Sequence, residues 1–368
     1  MKQNSDKMTR VVVYTLFGIF VGVFLAYGIM YKFPAIFQET ITKIEKDVTV
    51  TDEGIADAVE KVYDSVIIVS TYKDTTLYSS GSGFIYKTDD NKTYIITNNH
   101  VIESGNKFKI TYTNGDVAEA KLLGGDEYAD IAILEVNTKE NFKAVEIGST
   151  ETLRVGDTTF TVGAPLDNVY SWTVTRGIIS GKERLVEVAV DSNRSDYIMN
   201  VLQTDAAVNS GNSGGPLCNS NGDVIGVISA KISSTGVEGM GFAIPIETAI
   251  EKAEQIINGE SSEYPYLGIS MINVTEASRY PQYYRYLDSN ITSGVMVIDV
   301  QENSSAETAK LQSGDVITKV NGKEVSNVAY LRYELYKYNV GDTIKITFIR
   351  EGKEKTVSMK LSSKLQTS

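Results

Sequence analysis

The sequence predicts a mainly β protein with an appended α+β domain, preceded by one membrane-spanning helix. Three observations carry that expectation. An uncharged run of 21 residues, VVVYTLFGIFVGVFLAYGIMY (11–31), stands near the start. Short β-type runs bounded by turn residues follow, without a βαβ rhythm, which points to barrels or a sandwich. From Tyr266 onward, strand-like and helix-like runs alternate in a second domain. The chain of 368 residues has room for two or three domains at roughly 100–200 residues each.

Taken in order, the apolar run is long enough for a helix to cross the hydrocarbon layer of about 30 Å. A secretory h-region is shorter, so an uncleaved signal-anchor is the first reading and a cleaved signal peptide the second. Lys2, Lys7 and Arg10 precede the run, which predicts a cytoplasmic segment 1–10 and the remainder outside the cytoplasm. Residues 32–54 read as a polar linker. IADAVEKVYDSVIIVST (55–71) predicts a short helix running into a strand. The runs GSGFIY, TYIITN, KFKITYT, IAILEV, TTFTVGA, GIISGKE and DVIGVISA predict strands, and Asn114-Gly115 marks a hairpin. IPIETAIEKAEQIING (244–259) predicts a helix ended by Gly259, and SSEYP (261–265) a linker.

Composition removes several function classes. A net charge of −12 argues against nucleic acid as a partner, since phosphates call for basic patches. The single cysteine, Cys218, precludes an internal disulfide and reads as a small buried apolar residue. With one histidine beside it, the usual zinc sites are out of reach. No GxxxxGK[ST] stretch and no EF-hand loop occurs, so no ATP use, cofactor or metal is expected.

The chemistry gathers around three residues. Ser213 lies in GNSGGPL (211–217), among glycines that permit a strained turn. If that turn aims its amides one way, Gly211 and Ser213 offer two donors to an oxyanion. A serine hydroxyl needs a base to become a nucleophile, and the only imidazole in the chain is His100, in TYIITNNHVIES. Asp130, in EYADIAILEV, enters an apolar strand and needs a partner for its carboxylate; Asp126 competes for that part. The order His, Asp, Ser with separations of 30 and 83 residues is one of the known orders of a catalytic triad.

The motifs TNNHVI (97–102), ADIAIL (129–134), TDAAVNSGNSGGPL (204–217) and GFAIPI (241–246) resemble the HtrA/Deg family of membrane-anchored, chymotrypsin-like serine proteases. The resemblance covers about residues 55–362. It implies two six-stranded β-barrels over 55–259, with His100 as general base, Asp130 as its orienting partner and Ser213 as nucleophile. It also implies an oxyanion hole of the Gly211 and Ser213 amides, and an S1 pocket built on Ala207, Val208 and Ile228. Ser210 stands where the family has proline, which predicts a looser turn. SGVMVIDV (293–300), AETAKLQSGDVITKVNG (306–322) and NVAYLRYELYKYN (327–339) resemble a PDZ domain over 264–362. There Tyr266-Leu267-Gly268-Ile269 takes the place of the loop that captures a peptide's C-terminal carboxylate, and also reads as a first core strand. Lys310 replaces a common glycine. ASRYPQYYRYLDSN (277–290) is a tyrosine-rich insertion of no legible purpose.

The function implied is an extracytoplasmic, ATP-independent serine endopeptidase acting on misfolded or unfolded polypeptides, regulated by C-terminal peptides at the PDZ domain and assembled as a homotrimer. Two other readings compete: a regulatory protease making one cut in a membrane-protein partner, and a chaperone or peptide sensor with weak proteolysis.

Overall fold

The computed structural model describes residues 2–32, 52–89, 91–137, 142–164, 172–189, 195–232, 239–260, 263–277, 279–284 and 290–363. Most of the expected 32–54 linker and part of the 277–290 insertion lie outside these. The chain divides into two compact units, Met1–Thr51 and Asp52–Ser368. The first is helix α1 (Lys2–Lys32), whose stretch Arg10–Ile29 is long and apolar enough to cross a membrane, with mean hydropathy 2.2 and no burial.

The second unit opens with helix α2 (Asp52–Tyr63), which runs into β1 (Val66–Lys73) as the sequence predicts. Barrel one closes in the order β1-β2-β3-β6-β5-β4, with β2 Thr76–Asp89, β3 Lys92–Thr97, β4 Lys107–Thr111, β5 Val117–Asp126 and β6 Ile131–Asn137. The Asn114-Gly115 hairpin joins β4 to β5, with Gly115 at φ 88. Barrel two closes as β10-β11-β12-β9-β8-β7, with β7 Thr158–Gly163, β8 Thr173–Ala189, β9 Ser195–Thr204, β10 Pro216–Asn219, β11 Val224–Ile228 and β12 Gly241–Pro245.

Strand periodicity sorts the core into layers, because successive side chains point to opposite faces. Ile67, Val69, Ile85, Ile95, Ala132 and Leu134 fill barrel one; Ile179, Leu202, Leu217, Ile225 and Ile228 fill barrel two. Their strand neighbours, among them Phe84, Ile96, Ile131, Ile133, Phe160, Val162 and Val227, form one cluster outside the barrel interiors. Helix α4 (Ile246–Ile257) adds Ala249, Ala253 and Ile256 to that cluster; the one-turn helix α3 (Asn99–Ile102) sits in barrel one. Each fully buried aliphatic side chain stabilises the fold by about 1.5–3 kcal/mol, so neither barrel is a pore. Trp172 donates its indole N–H to the Val66 carbonyl at 3.1 Å, tying the edge of barrel two to barrel one.

The PDZ domain is a sheet in the order β13-β14-β15-β17-β18, with β16 (Lys323–Glu324) paired to β15. Its strands are β13 Ile269–Asn273, β14 Val295–Val300, β15 Val316–Val320, β17 Thr343–Arg350 and β18 Lys353–Lys360. Its helices are α5 Val274–Ala277, α6 Pro281–Tyr284, α7 Ser305–Thr308 and α8 Val328–Leu335. Lys310 adopts φ 61, so the lysine keeps the left-handed turn that glycine would take; Arg350 donates to its carbonyl at 2.9 Å. Of the expected 261–265 linker, residues 263–265 are described. Tyr264 is held in a cluster of rings with Tyr128 of the barrels and Tyr336 at the end of α8, at 4.7 and 4.5 Å.

Candidate active site

His100 is delivered by the end of β3, where the chain breaks from strand into α3. Its ring is held by the Asp130 carboxylate, with Nδ1 at 3.0 Å from Oδ1 and 2.8 Å from Oδ2. The His100 amide donates to the same Oδ1 at 3.0 Å, and the Ser229 hydroxyl donates to Oδ2 at 2.9 Å. Asp130 is only 2% exposed, so these donors replace the water that a buried carboxylate would otherwise lose. Its backbone is left-handed at φ 53, a conformation that costs a non-glycine residue about 1 kcal/mol or more. Asn98 holds it there, donating its side-chain amide to the Asp130 carbonyl at 2.8 Å. The choice between carboxylates is thereby made: Asp130 faces the imidazole, while Asp126 accepts from Tyr128, Ala129 and Tyr264. A ring pinned at Nδ1 keeps one tautomer and leaves Nε2 for acid–base chemistry.

Ser213 lies between the barrels. Gly211 and Gly214 take φ 101 and φ 86, and the Asn212 amide donates to the Asn209 carbonyl at 3.0 Å, so the turn is closed despite Ser210. A Cβ on Gly214 would run into the Ser82 carbonyl and the Thr97 hydroxyl; only glycine admits barrel one so close. Ser82 clips the turn from across the interface. Its amide donates to the Ser213 carbonyl at 2.8 Å, and its hydroxyl to the Gly211 carbonyl at 2.6 Å. The Ser213 hydroxyl accepts the Ala230 amide at 3.0 Å, and no hydrogen bond joins it to His100 among the described residues.

A trypsin-like peptidase domain model matches residues 81–227 and a PDZ domain model residues 265–361. Serine protease Do-like HtrB of Bacillus subtilis is 41% identical, over 86% of this chain and 72% of its own length. The chain belongs to the HtrA family of serine proteases. Serine protease Do-like HtrA of Lactococcus lactis subsp. cremoris is 34% identical over 88% of this chain and 86% of its own. Among solved structures, the HtrA-type protease AlgW with decapeptide superposes at a TM-score of 0.66 and 27% identity, covering 85% of this chain and 99% of that one. The serine endoprotease from Yersinia pestis gives 0.63 and 28%, covering 84% and 98%. This chain is thus a serine endopeptidase with one PDZ domain.

Within this HtrA-family chain the remaining expected site residues divide. Ala207 is exposed and Val208 partly buried, whereas Ile228 is 0% exposed inside barrel two. Ile228 therefore offers no surface to a substrate: the strand alternation that puts Val227 toward the neighbouring barrel turns Ile228 inward. In the PDZ domain, Tyr266 donates its amide to the Ser362 carbonyl at 2.8 Å, and Leu267 and Ile269 are core residues. Gly268 takes φ 78, and a Cβ there would collide with Ser304. The stretch is therefore both a strand start and a glycine turn, as the sequence allows. Cys218 is fully buried, and burial pushes its thiol well above the ordinary range, which leaves it inert.

Sequence reasoning missed Ser82 and Ser229. Both stand inside runs read only as strands; the one local signal is the pair of glycines, Gly81 and Gly83, on either side of Ser82, and Ser229 has none. Among the described residues no cluster of three or more His, Cys, Asp or Glu side chains could hold a metal.

Proposed function

We propose that this protease is anchored by α1 with its barrels and PDZ domain outside the cytoplasm, and degrades misfolded or unfolded polypeptides there. The catalytic half rests on one observation, the buried Asp130 carboxylate gripping the His100 ring at Nδ1 in a chain with no other imidazole. In the reaction, the Ser213 hydroxyl turns from the Ala230 amide toward His100. Nε2 takes its proton as Oγ bonds to the scissile carbonyl carbon. The carbonyl oxygen gains the negative charge, which the Gly211 and Ser213 amides receive. His100 then returns the proton to the leaving amine, and a water repeats the sequence to release the acyl group.

The Ser213 hydroxyl, which accepts from Ala230 and makes no hydrogen bond to His100 among the described residues, favours a resting state that a second signal completes. The unpaired edge of β13 and the Gly268 turn suit an extended peptide that adds as a strand with its carboxylate at the loop. The homotrimer implied by the resemblance belongs to the same reading.

Unfolded casein is the substrate that tests it. The full chain should digest casein and spare a tightly folded control, cutting mainly after Val and Ala because Ala207 and Val208 offer no charge to Arg or Lys. A peptide ending in a hydrophobic residue should speed both digestion and labelling of Ser213 by a fluorophosphonate. Cuts mainly after Arg or Lys, or equal loss of the folded control, would contradict the proposal. Location is tested separately: protease added outside intact cells or protoplasts should digest the C-terminal domain, and protection until lysis reverses the orientation.

A further inference from the structure

Asp126, the carboxylate that does not face His100, has a task of its own. It is 2% exposed and accepts the amides of Tyr128 and Ala129 at 3.0 and 2.9 Å, which folds residues 126–130 into the turn that ends at Asp130. The remaining capacity of the carboxylate is met from outside the barrels. The Tyr264 hydroxyl lies 2.8 Å from Oδ1 and 2.7 Å from Oδ2, and Lys252 Nζ stands 3.7 Å from Oδ2. Tyr264 belongs to the segment between α4 and the PDZ domain, 138 residues from Asp126 along the chain.

Bulk packing does not fix this ring. A cavity of about 460 Å³ and another of about 270 Å³ are each lined by both Tyr128 and Tyr264. What holds it is the hydroxyl bond together with the rings of Tyr128 and Tyr336, themselves 4.9 Å apart. A buried carboxylate that loses a donor must find another, and reaching Lys252 or water in the adjoining cavity requires the 126–130 turn to readjust. Any shift of that turn is passed to Asp130, which the turn ends on in a left-handed conformation.

We propose that Tyr264 is a positioning residue for proteolysis: through Asp126, its hydroxyl sets the turn that presents the Asp130 carboxylate to His100. The proposal rests on His100 and Asp130 being the base and its partner.

The test is Tyr264→Phe in the full chain, which removes one oxygen and keeps the ring. With a short peptide substrate, kcat should fall about tenfold while KM holds, since a small misplacement of a catalytic group is felt in the chemical step. A looser Asp130 supports the imidazolium less, so the acid limb of the pH–rate profile should move to lower pH. Labelled-histidine NMR sees His100 alone, and its ring signal should move as well. Tyr86→Phe is the control, because it deletes a hydroxyl bond of the same kind, Tyr86 to Glu254 at 2.7 Å, away from the turn. It should lower thermal stability and leave the His100 signal in place. If Tyr264→Phe does no more than Tyr86→Phe, Tyr264 is structural only and the proposal falls. Should Tyr264→Phe fail to fold, Tyr336→Leu, which removes a supporting ring, must move the His100 signal; a fixed signal overturns the proposal. A small cost of Asp130→Asn would instead defeat the underlying triad reading.

Discussion

Ser213→Ala stops peptide hydrolysis, with kcat falling on the order of 10⁶-fold. The size follows from what is removed. Without Oγ no acyl-enzyme forms, and what remains is binding plus the two amides of the turn, which are not enough to make water an efficient nucleophile. The fold should survive, because the bond from the Ser82 amide goes to the Ser213 carbonyl, which alanine keeps. The one bond lost is that from the Ala230 amide, worth about 1 kcal/mol. Steady-state hydrolysis of an unfolded peptide, read beside a thermal melt, separates the two effects. Turnover within a hundredfold of the native rate by a folded variant would remove Ser213 from the role of nucleophile.

Asp130→Asn is the second large effect, about 10⁴-fold in kcat. Asparagine has the shape of aspartate and also tolerates the left-handed backbone that this position requires. The turn and the Asn98 contact should therefore persist. What changes is the proton count: the His100 amide keeps the amide oxygen at the Oδ1 position, the NH2 falls where Oδ2 faced Nδ1 and donates to it, and the ring's proton moves to Nε2. A protonated Nε2 cannot take the serine proton. Measuring kcat/KM with a melt checks this; a loss under tenfold would mean that Asp130 only shapes the loop.

The chemistry was legible because it is scarce. With one imidazole in the chain few combinations are open, and the structure brings His100 to Asp130. The strands read from composition exist, and the helix at 244–259 runs Ile246–Ile257 with Gly259 left-handed after it. Barrel closure was legible only through the family resemblance, since period-two alternation says which side chains share a face and not which face meets which core. Ile228 shows the cost: an aliphatic near the nucleophile looks like a pocket wall until strand direction puts it inside. Within 327–339 the helix spans Val328–Leu335, and Tyr336, its C-cap residue, packs against the rings of Tyr128 and Tyr264. Contacts such as Ser82 to Gly211 and Tyr264 to Asp126 span 129 and 138 residues, and no local pattern announces them.

The Ser82 clip has a bearing on how safely such an enzyme is made. The turn that carries Ser213 is fastened by a residue of the other barrel, through the Ser213 and Gly211 carbonyls. Asp130 is likewise fastened across the interface, by Ser229. A nascent chain with only barrel one complete thus holds His100 and Asp130 but not yet the fastened turn of Ser213. Destructive power arrives last, as a property of the finished object and of neither half. An enzyme with the activity proposed above is in this way harmless to its siblings during the interval when they are unfinished themselves.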